Sequence, residues 1–555
     1  MIQAFQMPRC TVSRMGIVKW VPGRMKWRFP DPPVQIIRAG LRLGTSKGDV
    51  TLKLGWLRFM YQFSLVDIIS KNIDAIEALE KQHGAKHPTL DDIYVEDNTN
   101  EKFTLIPEVI DAALLAGSAA AQLASNLKLP GLTLLDRANC MHIAAATRTA
   151  SELCIPDLLL IAGPNGLHVK DIAAKTNTAP FIIARTLRLL ATHYVFKEIK
   201  PDVFINNRTS SMLATEKPEA EILQIVKKRQ QTLPAGTAPA VIPVQGDKYL
   251  NAGPGAIIAA FIEQTSDECF KASAFFPDIA IRNDFSKNGF QIAYQYDDLV
   301  WEFHEKTPGY LQRMQSAMLG STKTRRTRQS LEAVEGFDWS AIPEGSVVVD
   351  LGTGSGLHAE LIANKAPHLK IVLQDRVSTI ANVTKPTWEK DNGKAGLVSK
   401  GQVTLEGINM FESQPAHRHG TVKVYFIRHV FHDWPDEAVL TVLTRLQEAA
   451  AADCKIVIVE HLIPYSCPDP EGEKQFPVTI VGEGKKEEPP APLLSNLGAA
   501  HSDIYLVDYT VAAMANARER TIRDFADLLG QTGWKIDQTF QRIGQDLAQV
   551  ICSKA

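Results

Sequence analysis

From about residue 57 the apolar positions fall at helical spacing. Leu65, Ile68, Ile69, Ile73, Ile76 and Leu79 recur three and four apart, and Gly84 follows as a stop. Residues 106–127 are rich in Ala and Leu and predict a second helix whose small side chains suit close packing. Between 138 and 216 the period changes repeatedly. ASELCIPDLLLIAG reads as a helix ending near Gly163, and GLHVKDIAAKTNT as a short strand and helix. APFIIARTLRLLATHYVF reads as a longer helix, and KEIKPDVFINNRTSSML as two short strands around the turn Pro201-Asp202. Helix, turn, helix and β-wing together make a winged-helix pattern. Residues 217–253 hold several Pro and Gly and little pattern, which predicts a loop-rich insertion, and 254–334 return to helices.

From 345 the grammar alternates between strands and helices. SVVVDLG, KIVLQD, QVTLEG, VKVYFI and KIVIVEHL are apolar runs separated by helical stretches such as LHAELIANKAP and DEAVLTVLTRLQEAAA. Strands apolar on both faces and alternating with helices predict a parallel, doubly wound sheet. Residues 465–502, with Pro468, Pro470, Pro489, Pro490 and Pro492, predict an inserted loop before a last helix and closing strands. The expected organisation is an extension over 1–58, a helical and winged-helix domain over 59–216, a linking and acceptor-binding region over 217–334, and an α/β domain over 335–555.

Composition narrows the classes. At 555 residues the chain exceeds one ordinary domain of about 150 residues. Its net charge of −2 favours neither nucleic acid nor an anionic membrane. No apolar run approaches the roughly 20 residues that span a bilayer, so a cytoplasmic protein without membrane or nucleic-acid partners is expected. The seven cysteines are scattered without a C-x-x-C pair, which argues against a disulfide framework or zinc site. Residues 1–48 carry nine Lys/Arg against Asp31 alone, but Pro22, Pro30, Pro32 and Pro33 interrupt any long amphipathic helix, which favours a disordered extension over a transit peptide. The run Lys323-Thr324-Arg325-Arg326-Thr327-Arg328 reads as a solvated face or linker. The winged helix carries Arg185 and Arg188 in a neighbourhood that is not strongly basic, so dimerisation is expected there rather than DNA binding.

Candidate chemistry gathers at strand ends. Asp350-Leu351-Gly352-Thr353-Gly354-Ser355-Gly356 joins the first strand to a helix whose N-terminus offers N–H groups and a positive dipole end. The second strand ends at Asp375, where a carboxylate can accept both ribose hydroxyls of a nucleoside. These features alone fit either NAD or S-adenosylmethionine. Gly407-Ile408-Asn409-Met410-Phe411 follows the third strand, and Arg428-His429-Val430-Phe431-His432-Asp433-Trp434-Pro435-Asp436 the fourth. In such sheets all these ends meet at the carboxyl edge.

Taken with IVIVEHLIP and ARERT, this order resembles the class I S-adenosylmethionine-dependent methyltransferases. More narrowly it resembles small-molecule O-methyltransferases related to the plant caffeate and hydroxyindole enzymes, in a fungal branch. The resemblance covers about residues 60–555, and H-D-W-x-D is its most specific element. It implies a Rossmann-like catalytic domain, an N-terminal winged-helix dimerisation domain, a homodimer, and methyl transfer to a hydroxyl, expected to be phenolic, of a small molecule. By motif, Gly352 and Gly354 would line the methionyl part of S-adenosylmethionine, Asp375 would hold the ribose, Asn409 and Met410 would flank the adenine, and Arg428 would lie near the cofactor. His432 matches the general base and Glu460 and Glu519 the flanking acids. Asn409 departs from the Asp of plant relatives. No metal is required, because alignment and removal of one proton suffice for an electrophile as strong as a sulfonium. Phenol and free imidazole differ by about 3.5 pK units, roughly 5 kcal/mol, so proton loss is expected to accompany methyl transfer. Asp433 is expected to cap the helix after Pro435, Trp434 to pack in the core, and His417, His419, His429 and His461 to be structural. The intact set His432, Glu460 and Glu519 weighs against a cofactor-binding relative without methyl transfer. H-D-W-x-D and E-R-T weigh against an NAD-dependent oxidoreductase.

Overall fold

The computed structural model describes residues 47–232, 243–324, 334–481, 489–542 and 547–555. The basic N-terminal stretch up to residue 46 and Arg325, Arg326 and Arg328 of the basic run lie outside the described residues. The chain divides into two units, Met1–Phe63 and Ser64–Ala555. Among the described residues the first consists of the opening turns of helix α1 (Lys47–His83).

In the second unit, α2 (Pro107–Leu127) and α3 (Pro130–Glu152) each begin with proline in the first turn, where a missing N–H costs nothing. The helix expected through ASELCIPDLLLIAG is instead broken at Cys154, which takes a left-handed conformation with φ 50°. Its C-terminal half is α4 (Ile155–Ala162), buried from Ile155 to Leu159. The winged helix forms as expected from β1 (Leu167–His168), α5 (Val169–Thr176), α6 (Pro180–Thr192), β2 (Lys197–Lys200) and β3 (Val203–Ile205). The wing strands pair antiparallel in the order β1-β3-β2, and Ile172, Ile183, Leu187, Leu190, Phe196 and Phe204 form their shared core. Arg188 is committed to the wing acids Glu198 and Asp202 at 2.9 and 2.7 Å, and Arg185 lies over the Phe181 ring.

The stretch 217–253, expected to be loop-rich, opens with α7 (Glu219–Thr232), whose Ile222, Ile225 and Val226 are buried. Further helices are α8 (Gly255–Gln264), α9 (Gly289–Tyr294), α10 (Val300–Lys306) and α11 (Pro308–Thr324).

The expected sheet is present, with β4 (Val347–Leu351), α12 (Leu357–Lys365), β5 (Lys370–Asp375), β6 (Val403–Gly407), β7 (Val422–Arg428), α13 (Asp436–Ala449) and β8 (Lys455–His461) in sequence. Strands β6-β5-β4-β7-β8 are parallel neighbours in that order. The insertion at 465–502 is more than a loop. It carries a short helix, Pro470–Gln475, and β9 (Val478–Val481). After α14 (Asp503–Ala515) and α15 (Ile522–Gln531), β10 (Trp534–Arg542) pairs with β9 in parallel and with β11 (Leu547–Lys554) antiparallel. The full order of eight strands is β6-β5-β4-β7-β8-β11-β10-β9. One apolar cluster fills each face, around Val349, Ile427 and Leu443 on one and Val348, Phe426 and Trp339 on the other. Burial on both faces is why these strands read as unbroken apolar runs.

Candidate active site

Strands β4, β5, β6 and β7 reach the same edge of the sheet in register, and the polar residues following them converge there. Gly352 has φ +73°, and a Cβ on it would stand 2.5 Å from Val430 Cγ2, so only glycine lets the loop cross the end of β7. Gly354, at φ +56°, has open space where a Cβ would be and donates its N–H to Asp375 Oδ2 at 2.9 Å. The other oxygen of Asp375 accepts from Arg376 N at 2.7 Å. The ribose candidate and the glycine loop are thus one assembly. Asp350, beneath the loop, accepts from Thr353 Oγ1 at 2.6 Å, and burial pushes its carboxyl up to about 7.

Two residues that the sequence pattern did not single out lock this loop. Thr384 donates to Gly354 O at 2.7 Å and Trp388 Nε1 donates to Ser355 O at 3.0 Å. Both are buried. They follow β5 in a π-helical turn and short helix (Ile380–Thr384, Lys385–Lys390), which carries no motif to find them by.

Beside Asp375, whose carbonyl accepts from Ile408 N at 2.8 Å, the third strand end presents Asn409 and Met410. Asn409 is exposed and makes a local turn, accepting from Phe411 N at 3.2 Å and donating to Glu412 at 3.1 Å. Met410 packs against the core with Phe411 and Trp434, which meet edge to face at 4.7 Å. Arg428 closes the set. Burial pulls its guanidinium below the usual range against the pull of Glu460 and Asp350, and its Nε is buried with no hydrogen-bond partner among the described residues.

His432 lies in a single 3-10 turn, Phe431–Asp433, directly after β7. Its Nδ1 is 2.7 Å from Glu519 Oε1, and the Glu519 side chain is wholly shielded from solvent. Its Nε2 lies 3.6 Å from Asp433 Oδ1. The helix-cap expectation for Asp433 is corrected here. Pro435 occupies the cap of α13 without a side-chain hydrogen bond, and Asp433 turns to the imidazole instead. Glu460, on β8, does not bond to the ring. Its Oε1 accepts from the backbone N–H groups of Val430 and Phe431, both at 2.9 Å, and so shapes the loop that carries His432.

Burial disfavours a charged imidazole, but the carboxylates of Asp433, Glu519 and Glu460 and the Glu519 hydrogen bond outweigh it, raising His432 to about 10. Burial pushes Glu460 up to about 7 and Asp433 up as well. His429 and His461 stack behind the site, their rings 5.0 Å apart and His429 5.2 Å from His432. His417 and His419 stand apart from it, His417 paired with Glu406 at 2.9 Å and His419 with the Gln414 carbonyl at 3.0 Å.

The two conspicuous carboxyl-terminal motifs interlock. Arg520 of ARERT is completely buried and donates to Phe431 O at 2.6 Å, Trp434 O at 2.8 Å and Asp436 at 2.7 Å. Arg518 also pairs with Asp436 at 2.6 Å. The last acid of H-D-W-x-D is therefore the partner of the E-R-T arginine, an association that spacing within either motif does not reveal.

Two sequence models of known families match the chain, an O-methyltransferase domain over residues 280–489 and an O-methyltransferase dimerisation domain over 135–216. An O-methyltransferase of Armillaria gallica is 30% identical, covering 85% of this chain and 94% of its own length. A 4-O-methyltransferase of Phanerochaete chrysosporium is 29% identical with the same coverage. Among solved structures, the mitomycin 7-O-methyltransferase MmcR shares the fold with a TM-score of 0.53 and 20% identity, over 79% of this chain and 99% of that one.

Proposed function

The chain belongs to the O-methyltransferase family, and from that premise we propose that it moves a methyl group from S-adenosylmethionine to a phenolic hydroxyl of a small molecule, with His432 as general base. The observation that carries this reading is the imidazole held at 2.7 Å by a shielded carboxylate on the same sheet edge as the glycine loop.

The residues at the edge fit a nucleoside with a charged amino-acid tail. Asp375 keeps lone pairs for two ribose hydroxyls, Gly354 leaves room at the backbone, and Arg428 holds a buried donor without a partner among the described residues. Met410 offers an apolar face to adenine and Asn409 an amide oxygen. Bound there, S-adenosylmethionine supplies a methyl carbon already activated for attack.

The protein has two tasks, alignment and proton removal. Glu519 accepts the Nδ1 proton, which fixes the tautomer and leaves the lone pair of the neutral ring on Nε2. Nε2 takes the proton from the acceptor hydroxyl as that oxygen accepts the methyl group that the bound cofactor would supply, with its sulfonium sulfur as the leaving group. A base raised toward the pKa of a phenol, about 10, brings the two nearly level, so the mismatch for a free imidazole largely disappears. Asp433 adds a second acceptor beside Nε2. The dimerisation domain supports a homodimer. Among the described residues no helix is long and apolar enough to cross a membrane, and we place the enzyme in the cytoplasm.

The test is calorimetric titration with S-adenosylhomocysteine, with NAD as control, followed by mass detection of methylated phenols. Micromolar binding of the first ligand alone and a gain of one methyl group support the reading. A folded sample that binds neither would overturn it. No step uses a metal ion, so turnover is expected to be unchanged after exhaustive treatment with a chelator; loss restored by a divalent cation would contradict the mechanism.

A further inference from the structure

We propose that Asp508 is a positioning residue for this reaction, holding the backbone of Glu519 and through it the orientation of the His432 ring. The proposal rests on the reading of His432 as the base. Asp508 Oδ1 accepts from Glu519 N at 2.8 Å, across the left-handed end of α14 at Asn516. A carboxylate that must sit 2.7 Å from an imidazole is only as well placed as the backbone that bears it.

The helix presenting Asp508 is itself fixed at both ends. At one end the Tyr505 hydroxyl donates to Pro464 O at 2.5 Å and accepts from Asn496 Nδ2 at 2.9 Å. At the other, Asn516 Nδ2 donates to Phe285 O at 2.9 Å, and Ala513 is fully buried against the aromatic cluster of Phe290 and Tyr294. On the far side of Glu519, Arg520 grips Phe431 O and Trp434 O, which flank His432. Glu519 is thus held between a helix on its amino side and the histidine loop on its carboxyl side. Arg520 fixes where the loop lies; Asp508 fixes where the acid lies relative to it.

A purely electrostatic role would be a different device. The charges facing His432 are Asp433, Glu460 and Glu519, and those facing Asp508 are Glu519, Arg518 and Arg520. Asp508 would then act by adding one more negative charge to an acidic group around the ring. Position and charge separate cleanly by substitution. Asp508→Asn keeps an oxygen able to accept from Glu519 N and removes the charge. Asp508→Glu keeps the charge and displaces the oxygen by one methylene. Asp508→Ala removes both.

The experiment uses the full chain and measures kcat, its pH profile and S-adenosylhomocysteine affinity for all three variants and for His432→Gln. Asp508→Ala is expected to lose between about 10- and 100-fold in kcat, the scale of a small misplacement, with cofactor affinity within about threefold. Its pH limb should move to lower pH as the imidazole loses its partner. Asp508→Asn should recover kcat to within about threefold together with the native limb, and Asp508→Glu should fall below Asp508→Asn. The order Glu above Asn, or native kcat in Asp508→Ala, would overturn the proposal. If the alanine variant melts below the assay temperature, the order of the other two still decides. Native turnover in His432→Gln would instead sink the base reading. Lost turnover there with Glu ranked above Asn would sink only the positioning role.

Discussion

On the proposal that His432 is the base, it sets how the enzyme should respond to pH, and the sign can be worked out. Its imidazole is raised to about 10, against about 6.5 in an unfolded chain, so at neutral pH the ring in the cofactor-free enzyme is protonated. A base must be neutral to act, so kcat/KM is expected to rise with pH toward that value, and a pH series with one phenol checks it. A profile flat from pH 6 to 10 would contradict a base held by Glu519. The bound sulfonium, a positive charge at the same edge, should pull the kcat limb below the kcat/KM limb. Stability runs the other way. A cation favoured by folding adds stability that is complete below about 6.5 and lost as pH rises through the folded value. Replacing Glu519 with Gln keeps an oxygen for Nδ1–H but removes the carboxylate charge, so that variant should show a shallower fall in denaturation midpoint between pH 6.5 and 10, with the kcat/KM limb moved to lower pH. H-D-W-x-D marked this histidine as the candidate base, but the division of labour around it was not legible. Nothing in the order of residues says that Glu519 takes the ring while Glu460 takes two backbone N–H groups, because β8 and the ARERT segment approach from different sides.

At the scale of elements, the site consists of two loops, each locked from a distance. Arg520 satisfies two carbonyls of the histidine loop from a fully buried position, so Arg520→Ala leaves Trp434 O and part of Asp436 without a partner and Phe431 O with the Trp434 N–H alone. An unsatisfied buried polar group costs about 1–3 kcal/mol, so a loss of roughly 3 kcal/mol is expected in urea denaturation, with kcat reduced even where the variant remains folded. A loss below about 1 kcal/mol would mean that the loop holds its shape without the clamp. Thr384→Val makes the complementary test on the glycine loop. It removes the hydroxyl bound to Gly354 O at nearly constant volume and should weaken S-adenosylhomocysteine binding about tenfold by calorimetry while leaving the His432 limb in place. The strands and the glycine turn were legible because continuous apolar runs and glycine at a strand end each have few alternative explanations. The clamps were not, since a threonine in a π-helical turn and an arginine paired across some ninety residues leave no local period.

Across the whole chain, helix α2 shows what composition alone missed. Its small residues accept the end of the proline-rich insertion. Ala500 Cβ comes within 3.9 Å of a Cβ built on Gly117, Gln122 donates to Pro492 O at 2.8 Å, and Leu493 packs with Leu65, Ile68 and Ala119. The insertion read as a loop because its partners lie hundreds of residues away. The next helix is different. At the end of α2, in the turn after it and in α3, Leu127, Leu129, Leu132, Leu134, Leu135 and Met141 are exposed, Leu134 to 72%. This is more clustered apolar surface than isolated chance exposure, and it runs into the match to a dimerisation domain that begins at residue 135. The occupant that fits is a second copy of the chain. Light scattering should therefore give twice the 61.2 kDa of one chain, and the double substitution Leu134→Glu with Leu135→Glu should give the single mass with native far-ultraviolet dichroism. Gly352, Gly354, Asp375 and Arg428 all lie on the sheet edge, so S-adenosylhomocysteine affinity should be unchanged in that monomer. A double variant that stays dimeric would move the interface elsewhere in the dimerisation domain. A monomer that no longer binds the ligand would mean that the sheet edge depends on the partner copy.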